Sequence, residues 1–362
     1  MRKRVTARDV AEAAGVTATT VSYVLNNVPN QTISPETRQR VLQAAKALKY
    51  VPNVAARSLR SRQSLCVGVV LKKNLTHPRF NQMLQGIQQT LNANGYNLML
   101  CGAHKKTESG YPDYLHIYLE QRIDGILFLA EENHPPDAAA KQCILENHIP
   151  FVAFDCQEQA PGYSTVDLDY EESAFTVAQT MLSRCRKTLF YVRPTLSNAQ
   201  ESKREAGVRR AAAQFPQKQL IVGKMPASYQ STDEADQLLR GFPNASMQNP
   251  SLRPAFFKEV ETLLLPMMEC LEPGDAIHSS WATWTRFLRW LRRDVPLITG
   301  ELANNGEDFS GGDIYARMPN FQAGQCCAQL LLRALAGNAP ESRVLSIPCM
   351  ERDRSLDWLF IP

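Results

Sequence analysis

Two groups of residues in this sequence could do chemistry. The first is a hydroxyl-rich run, Thr17-Ala18-Thr19-Thr20-Val21-Ser22-Tyr23-Val24-Leu25-Asn26. Read as a helix, it turns Val21, Val24 and Leu25 inward and leaves its outward side chains, near the start, to meet base edges in a DNA major groove. The second group is scattered. Arg204 carries a guanidinium suited to hydroxyl, carboxylate or phosphate oxygens. Asp155 ends the apolar run Pro150-Phe151-Val152-Ala153-Phe154, and Lys72, Lys73, His77 and Arg79 make one loop basic. The chemistry of both groups is reversible binding. Bond-making motifs are missing: there is no P-loop, no G-x-S-x-G, no H-E-x-x-H, and no G-x-G-x-x-G after a strand. We therefore expect no catalytic residues, no cofactor and no enzyme.

The hydroxyl run needs a scaffold, and the flanking sequence supplies one. Thr6 can cap a first helix with apolar Val10, Ala11 and Ala14 on one face. Gly15 permits the turn, and Thr17 caps the second helix. After a polar loop from Asn27 to Ile33, Ser34-Pro35-Glu36 opens a third helix. Its expected inner face is Val41, Leu42, Ala44, Ala45 and Leu48, and Tyr50-Val51-Pro52 ends it. A further short segment, residues 53–63, is too short to stand as a helix alone in water and is expected to order when docked.

Charge points the same way. Residues 1–63 hold eleven Lys or Arg against three acids, while the whole chain is +4, which leaves the remainder acidic. A basic module on an acidic body is a nucleic-acid-binding pattern. The body, 44% hydrophobic and 21% charged, has an ordinary globular composition. Neither a signal peptide nor an apolar span is visible, so a cytoplasmic location is expected. The nine cysteines are scattered with no C-x-x-C, and no histidines fall at H-x-x-x-H spacing. The thiols read as buried and free, and no metal site is expected.

From residue 65 short apolar runs alternate with amphipathic stretches. Strands are expected at 65–71, 96–101, 125–129, 151–154, 188–192, 220–222, 276–278 and 296–299. A helix carrying Met83, Leu84, Ile87 and Leu91 joins the first two. Others are expected near 172–184, 203–214, 231–240, 256–271, 283–292 and 321–336, with a loop from Gly241 to Pro254. This is an α/β pattern of parallel sheets in two lobes, with ligands beyond the strand C-termini.

With these parts placed, the chain resembles the lactose/galactose repressor family of bacterial transcription regulators. The helix-turn-helix run, Ser34-Pro35-Glu36-Thr37-Arg38, Tyr50-Val51-Pro52-Asn53 and Ala56-Arg57-Ser58-Leu59-Arg60 carry the resemblance. The loop Asn27–Ile33, Ser22-Tyr23-Val24 and Ser279-Ser280-Trp281 look most like the fructose and sucrose repressor subgroup. The resemblance implies residues 1–52 as the DNA-binding domain and 53–63 as a hinge helix. Residues 64–362 would form a two-lobed core like the periplasmic binding proteins, with a first lobe of about 64–160 and 318–338 and a second of about 161–317 and 339–362. It implies a homodimer on palindromic double-stranded DNA. Ala18, Thr19 and Tyr23 would read bases, Thr6, Thr20, Ser22, Asn26 and Asn53 would contact phosphates, and Thr17 would belong to the same DNA-binding set. The hinge, with Ala56, Arg57 and Arg60, would enter the minor groove. Leu59 could pack a helix or wedge a base step, and a helix with no core of its own favours the wedge.

The resemblance further implies an effector cleft. Arg204-Glu205-Ala206-Gly207 matches the family's R-x-x-G, and Lys73, His77, Arg79, Asp155, Trp281 and Phe321 would join Arg204 there. Trp281 stands where an acid is usual, Gly300-Glu301-Leu302 replaces the common G-F-D, and Cys185-Arg186 replaces Gly-His. Fewer acids and a basic rim suit an anion, so a sugar phosphate is the expected effector of a carbohydrate-gene repressor. The alternative is a regulator with no small-molecule effector that answers to a protein partner or to abundance.

Overall fold

The computed structural model describes residues 5–25, 31–51, 63–71, 78–102, 110–129, 134–158, 162–195, 198–225, 255–305 and 312–352. The chain divides into two compact units, Met1–Leu65 and Cys66–Pro362.

The first unit holds α1 (Ala7–Ala14), α2 (Ala18–Leu25) and α3 (Pro35–Ala47). At α1 the Asp9 N–H donates to Thr6 Oγ1 at 3.4 Å and the Thr6 N–H to the Asp9 carboxylate at 2.7 Å. Two helix-end donors are thus satisfied reciprocally. Gly15 closes the helix at φ 62°, in the left-handed region where a Cβ would crowd the backbone. The Thr20 N–H donates to Thr17 Oγ1 at 3.2 Å, and the Thr37 N–H to Ser34 Oγ at 3.2 Å, so both predicted caps form. Val10, Ala11, Ala14, Val21, Val24, Val41 and Ala45 make the core. Leu42, expected inside, is 49% exposed. It lies about 100° round the helix from Val41, and Ala45, one turn on from Val41, takes the inner position instead. The helix also stops earlier than Tyr50. Lys49 at φ 49° lets the Tyr50 N–H reach the Ala45 carbonyl at 2.8 Å, which closes the last turn.

The second unit is built on two sheets. The first contains β1 (Cys66–Leu71), β2 (Asn97–Cys101), β3 (Gly125–Leu129), β4 (Phe151–Phe154), β5 (Ser164–Leu168) and β11 (Ser342–Leu345). Their order is β11-β5-β4-β3-β1-β2, all parallel. The second contains β6 (Thr188–Arg193), β7 (Gln219–Lys224), β8 (Ala276–Ser279), β9 (Ile298–Asn304), β10 (Ile314–Arg317) and β12 (Cys349–Glu351). Their order is β12-β10-β9-β8-β6-β7, parallel except for β10 against β12. The helices are α4 (Pro78–Ala93), α5 (Asp113–Leu119), α6 (Ala138–Glu146), α7 (Tyr170–Arg184), α8 (Ala199–Ala213), α9 (Ala255–Met268), α10 (Ala282–Leu291) and α11 (Asn320–Leu335). The α7 helix packs on β9 and β10 of the second sheet, and α11 on β3, β4 and β5 of the first.

The sheets correct the lobe boundaries expected from sequence. Both β5 and β11 belong to the first sheet, so the chain crosses between lobes near Asp169, near Pro319 and between β11 and β12. The sequence pattern missed β5 because polar Ser164, Thr165 and Asp167 interrupt it, so no continuous apolar run marks a strand whose every residue is buried. It missed β11 and β12, four and three residues long, because they are short edge strands. Likewise β10, α5 and α6 are too short for a clear period. The expected helix near 231–240, the 241–254 loop and nearly all of the 53–63 hinge lie outside the described residues.

One helix crossing, α4 against α11, is fixed by two glycines in the first lobe. A Cβ on Gly86 of α4 would collide with the Phe321 carbonyl, and one on Gly324 of α11 with the Met83 carbonyl. These backbones touch because neither position carries a side chain. All nine cysteines are free. Burial raises the thiol pKa of Cys101, Cys156 and Cys327, which keeps them protonated and unreactive.

Candidate functional site

On the first unit, Thr17, Ala18 and Thr19 are exposed at the start of α2, with Ser22 and Tyr23 half-buried one turn on. This is the face turned away from Val21 and Val24. Three hydroxyls of this unit have structural work as well: Thr17 and Thr20 Oγ1 are 3.0 Å apart, and Thr6 Oγ1, at the start of α1, donates to Asp9 at 2.8 Å. The N-termini of α1 and α2 also present backbone N–H groups and positive dipole ends, which attract phosphate. Asn26, Asn53, Ala56, Arg57, Leu59 and Arg60 lie outside the described residues.

On the second unit, the remaining polar candidates gather where the strands of both sheets end. Asp155 follows β4 at φ 59° and is 1% exposed. Its N–H donates to the Val166 carbonyl at 2.8 Å, which pins the strained residue to β5. Its carboxylate pairs with Arg79, in the first turn of α4, and accepts from Tyr170 Oη at 2.7 Å. Its carbonyl accepts from Gln200 Nε2 at 2.9 Å. Tyr170 opens α7 and Gln200 opens α8, so Asp155 joins the two lobes. Burial works against the Arg79 cation, but Tyr170 and Asp155 outweigh it and its pKa lies above the ordinary value. Burial, then Asp155, pushes Tyr170 up, so it remains a phenol that donates.

The facing wall belongs to α8. Glu201 and Arg204, one turn apart, form an ion pair with side chains only 2% and 7% exposed. The Arg204 guanidinium lies 4.6 Å from the centre of the Tyr170 ring. Trp281, the N-cap of α10, donates through Nε1 to Glu201 Oε1 at 3.1 Å, and its ring lies 4.6 Å from that of Trp284. Gly207 explains the R-x-x-G spacing physically. A Cβ there would collide with the Glu171 carbonyl, so the bare glycine lets α8 lie against α7 and brings Arg204 over Tyr170. Nearby, Arg193 pairs with Glu205, and Tyr191 Oη lies 2.6 Å from Ser280 Oγ.

A third set also links the two lobes. Gln82 Nε2 donates to the Asn305 carbonyl at 2.6 Å, and Asn320 Nδ2 reaches Asn305 Oδ1 at 3.1 Å and Gln82 Oε1 at 3.0 Å. Phe321, half-buried beside Asn320, takes no part in this network among the described contacts. Lys73 and His77 lie outside the described residues.

The structure thus brings Arg79, Asp155, Arg204 and Trp281 into one network. It adds Tyr170, Gln200 and Glu201, which sequence reasoning missed. Glu201-x-x-Arg204 was visible as a helical pair, but such pairs are usually solvated; its burial comes from tertiary packing. Five buried polar atoms here have no hydrogen-bond partner: Arg79 Nε, Arg204 Nε, Gln200 Oε1, Glu201 Oε2 and Asn320 Oδ1. This set holds both donors and acceptors. Among the described residues no cluster of His, Cys, Asp and Glu could hold a metal, and no helix is long and apolar enough to cross a membrane.

Residues 6–53 match the family described as bacterial regulatory proteins, lacI family, and residues 64–245 match the periplasmic binding proteins and sugar binding domain of the LacI family. Over 241 residues the chain is 28% identical to catabolite control protein A of Priestia megaterium, covering 65% of this chain and 70% of that protein. Over 209 residues it is 31% identical to the HTH-type transcriptional repressor PurR of Erwinia tasmaniensis, covering 57% of this chain and 59% of that protein. The chain thus spans less than two thirds of the length of this second relative. These relatives are transcriptional regulators rather than enzymes. In fold it is similar to the lac repressor dimer bound to operator and the anti-inducer ONPF, with a TM-score of 0.68 at 20% identity over 97% of this chain and 98% of that one. A helix-turn-helix unit with an exposed hydroxyl face, followed by two parallel-sheet lobes closed around a polar cleft, agrees with both matches: the chain belongs to the LacI family of DNA-binding bacterial regulatory proteins.

Proposed function

We propose that this regulator works in the cytoplasm as a homodimeric repressor of carbohydrate-use genes, on a two-fold DNA site, and performs no catalysis. Ala18, Thr19 and Tyr23 read base edges from the major groove. Thr6, Thr17, Thr20 and Ser22, with the N-termini of α1 and α2, fix the register against phosphates. The effector is a small polyhydroxyl molecule of the sugar type. One observation carries this: partnerless buried donors and acceptors from both lobes meet at the ends of the strands, and a hydroxyl can serve either kind. The effector and DNA favour different lobe arrangements, so each weakens the other by the same factor, with about 1–3 kcal/mol of coupling typical.

A second reading has its own support. Trp281 and Glu201 bond each other, and Tyr170 and Gln200 already tie Asp155 to the second lobe. On that reading the cleft closes on its own side chains and the regulator answers to a protein partner or to abundance. Fluorescence anisotropy on a palindrome obtained by in vitro site selection separates the two. Free sugars and sugar phosphates are titrated in at fixed salt, because salt alone shifts such affinities. Release from DNA by one compound class supports the effector reading. Tight binding indifferent to every compound supports the second.

A further inference from the structure

We infer that Glu201 is a built-in counter-ion that sets the cleft's selectivity: it occupies the anion position of Arg204, so the cleft takes uncharged hydroxyls and rejects phosphate or carboxylate groups. This rests on the effector reading above. Glu201 is 2% exposed and sits one helical turn before the guanidinium it neutralises. Its position is held twice, by the pair with Arg204 and by the Trp281 indole N–H at 3.1 Å. The first-lobe wall is neutralised in the same way, since Arg79 is paired with Asp155. A phosphate entering here meets no unpaired Arg among these groups and brings its oxygens against two carboxylates. Like charges brought together out of water are strongly disfavoured.

The partnerless atoms point to the same selectivity. Two are donors, Arg79 Nε and Arg204 Nε, and three are acceptors, Gln200 Oε1, Glu201 Oε2 and Asn320 Oδ1. The phosphoryl group of a phosphate ester dianion has no proton to give those acceptors, whereas a hydroxyl both gives and takes. The expectation of an anionic effector came from the acids missing at Trp281 and Leu302 and from the basic rim. Glu201 escaped that reading because it reads as one end of an ordinary surface pair on a helix.

The test is isothermal titration of the full chain with inorganic phosphate, with D-glucose and D-fructose, and with glucose 6-phosphate and fructose 1-phosphate, at constant ionic strength. Wild type should bind a free sugar more tightly than its phosphate ester. Glu201→Gln, which keeps the shape and removes the charge, should bind inorganic phosphate about tenfold or more tightly than wild type. That gain should vanish in the double variant Glu201→Gln, Arg204→Met, which separates the cleft from phosphate bound elsewhere on a basic protein. Glu201→Ala gives the same readout should the glutamine variant fold poorly. An ester bound by wild type as tightly as its parent sugar, or no phosphate gain in either variant, overturns the role of Glu201 and leaves the effector reading standing. If no sugar or ester binds wild type or variants while Glu201→Gln gains inorganic phosphate, the counter-ion stands and the effector reading falls.

Discussion

The two walls of the cleft use the same pairing, a guanidinium against a carboxylate, built in opposite ways. On the first lobe Arg79 and Asp155 are 76 residues apart, on different elements, and meet only because β1 and β4 lie in one sheet. On the second lobe Glu201 and Arg204 are three residues apart on one helix. The first pair depends on the tertiary fold and in return ties the lobes together through Tyr170 and Gln200. The second forms wherever α8 forms, but it is buried only because Gly207 and Trp281 enclose it. A non-local pair can therefore act as a fold-dependent latch, while a local pair behaves as a fixed charge element whose surroundings decide its role. Substitutions that remove the pairs, or their surroundings, should separate these roles.

The largest effect should come from Asp155→Ala. It leaves the Arg79 guanidinium without a counter-ion against Phe154, and it removes the acceptor of Tyr170. Breaking a buried pair from one side costs about 3–5 kcal/mol. The Arg79 side chain is 18% exposed, so water offsets part of this and we expect about 3 kcal/mol in urea unfolding of the second unit. Because the lobes lose their shared acceptor, effector-induced release from DNA should weaken too. A loss below about 1 kcal/mol would mean that Asp155 is not the latch, and that the Gln82–Asn305–Asn320 contacts hold the lobes.

Gly207→Ala attacks the second wall without touching a charge. Its Cβ must push α8 away from the Glu171 carbonyl, and overpacking of this kind costs about 1–3 kcal/mol. The local pair should survive, since both partners move with α8, while Arg204 leaves the Tyr170 ring. The expected signature is a moderate drop in stability with a disproportionate loss of effector binding. Gly102→Ala, where a Cβ would meet nothing within 4 Å, is the control and should fall within about 0.5 kcal/mol of wild type. Equal losses at both positions would remove the claim that the glycine positions Arg204.

The contrast between the walls also explains what could be read from the sequence. The helix-turn-helix unit was legible nearly residue by residue, because its caps at Thr6, Thr17 and Ser34 and its turn at Gly15 act within four residues. Most strands were legible as apolar runs. What escaped were features fixed by distant neighbours. The β5 strand is polar yet buried by the strands beside it. Tyr170 looks like a helix-start residue until Asp155, fifteen residues away, is placed against it. Glu201 was present as a helical pair, but its burial depends on Trp281, eighty residues on, and on α7. Asp155 and Arg79 entered the sequence reading through a strand end and a basic loop, and Arg204 through the resemblance to the family's R-x-x-G. Their partners carry no such signal.

The smallest effect should come from Trp281→Phe, and it decides how firmly Glu201 is held. The phenyl ring keeps packing on Trp284 but loses the indole N–H, so one Glu201 oxygen gives up its 3.1 Å donor. Hydrogen bonds to charged groups contribute about 1.5–3 kcal/mol when buried. Trp281 is partly exposed and Arg204 still pairs with Glu201, so we expect about 1 kcal/mol, read by thermal or urea unfolding. A double-mutant cycle with Glu201→Ala isolates the bond: coupling near 1 kcal/mol assigns the loss to the N–H, whereas coupling near zero assigns it to ring packing. Operator binding should not change, because the substitution lies in the second unit and leaves the exposed face of α2 as it was. If coupling is near zero, Glu201 is held by Arg204 alone, and the two walls differ more than the contacts suggest: Asp155 keeps Tyr170 and Gln200 beside its cation, whereas Glu201 keeps only its cation.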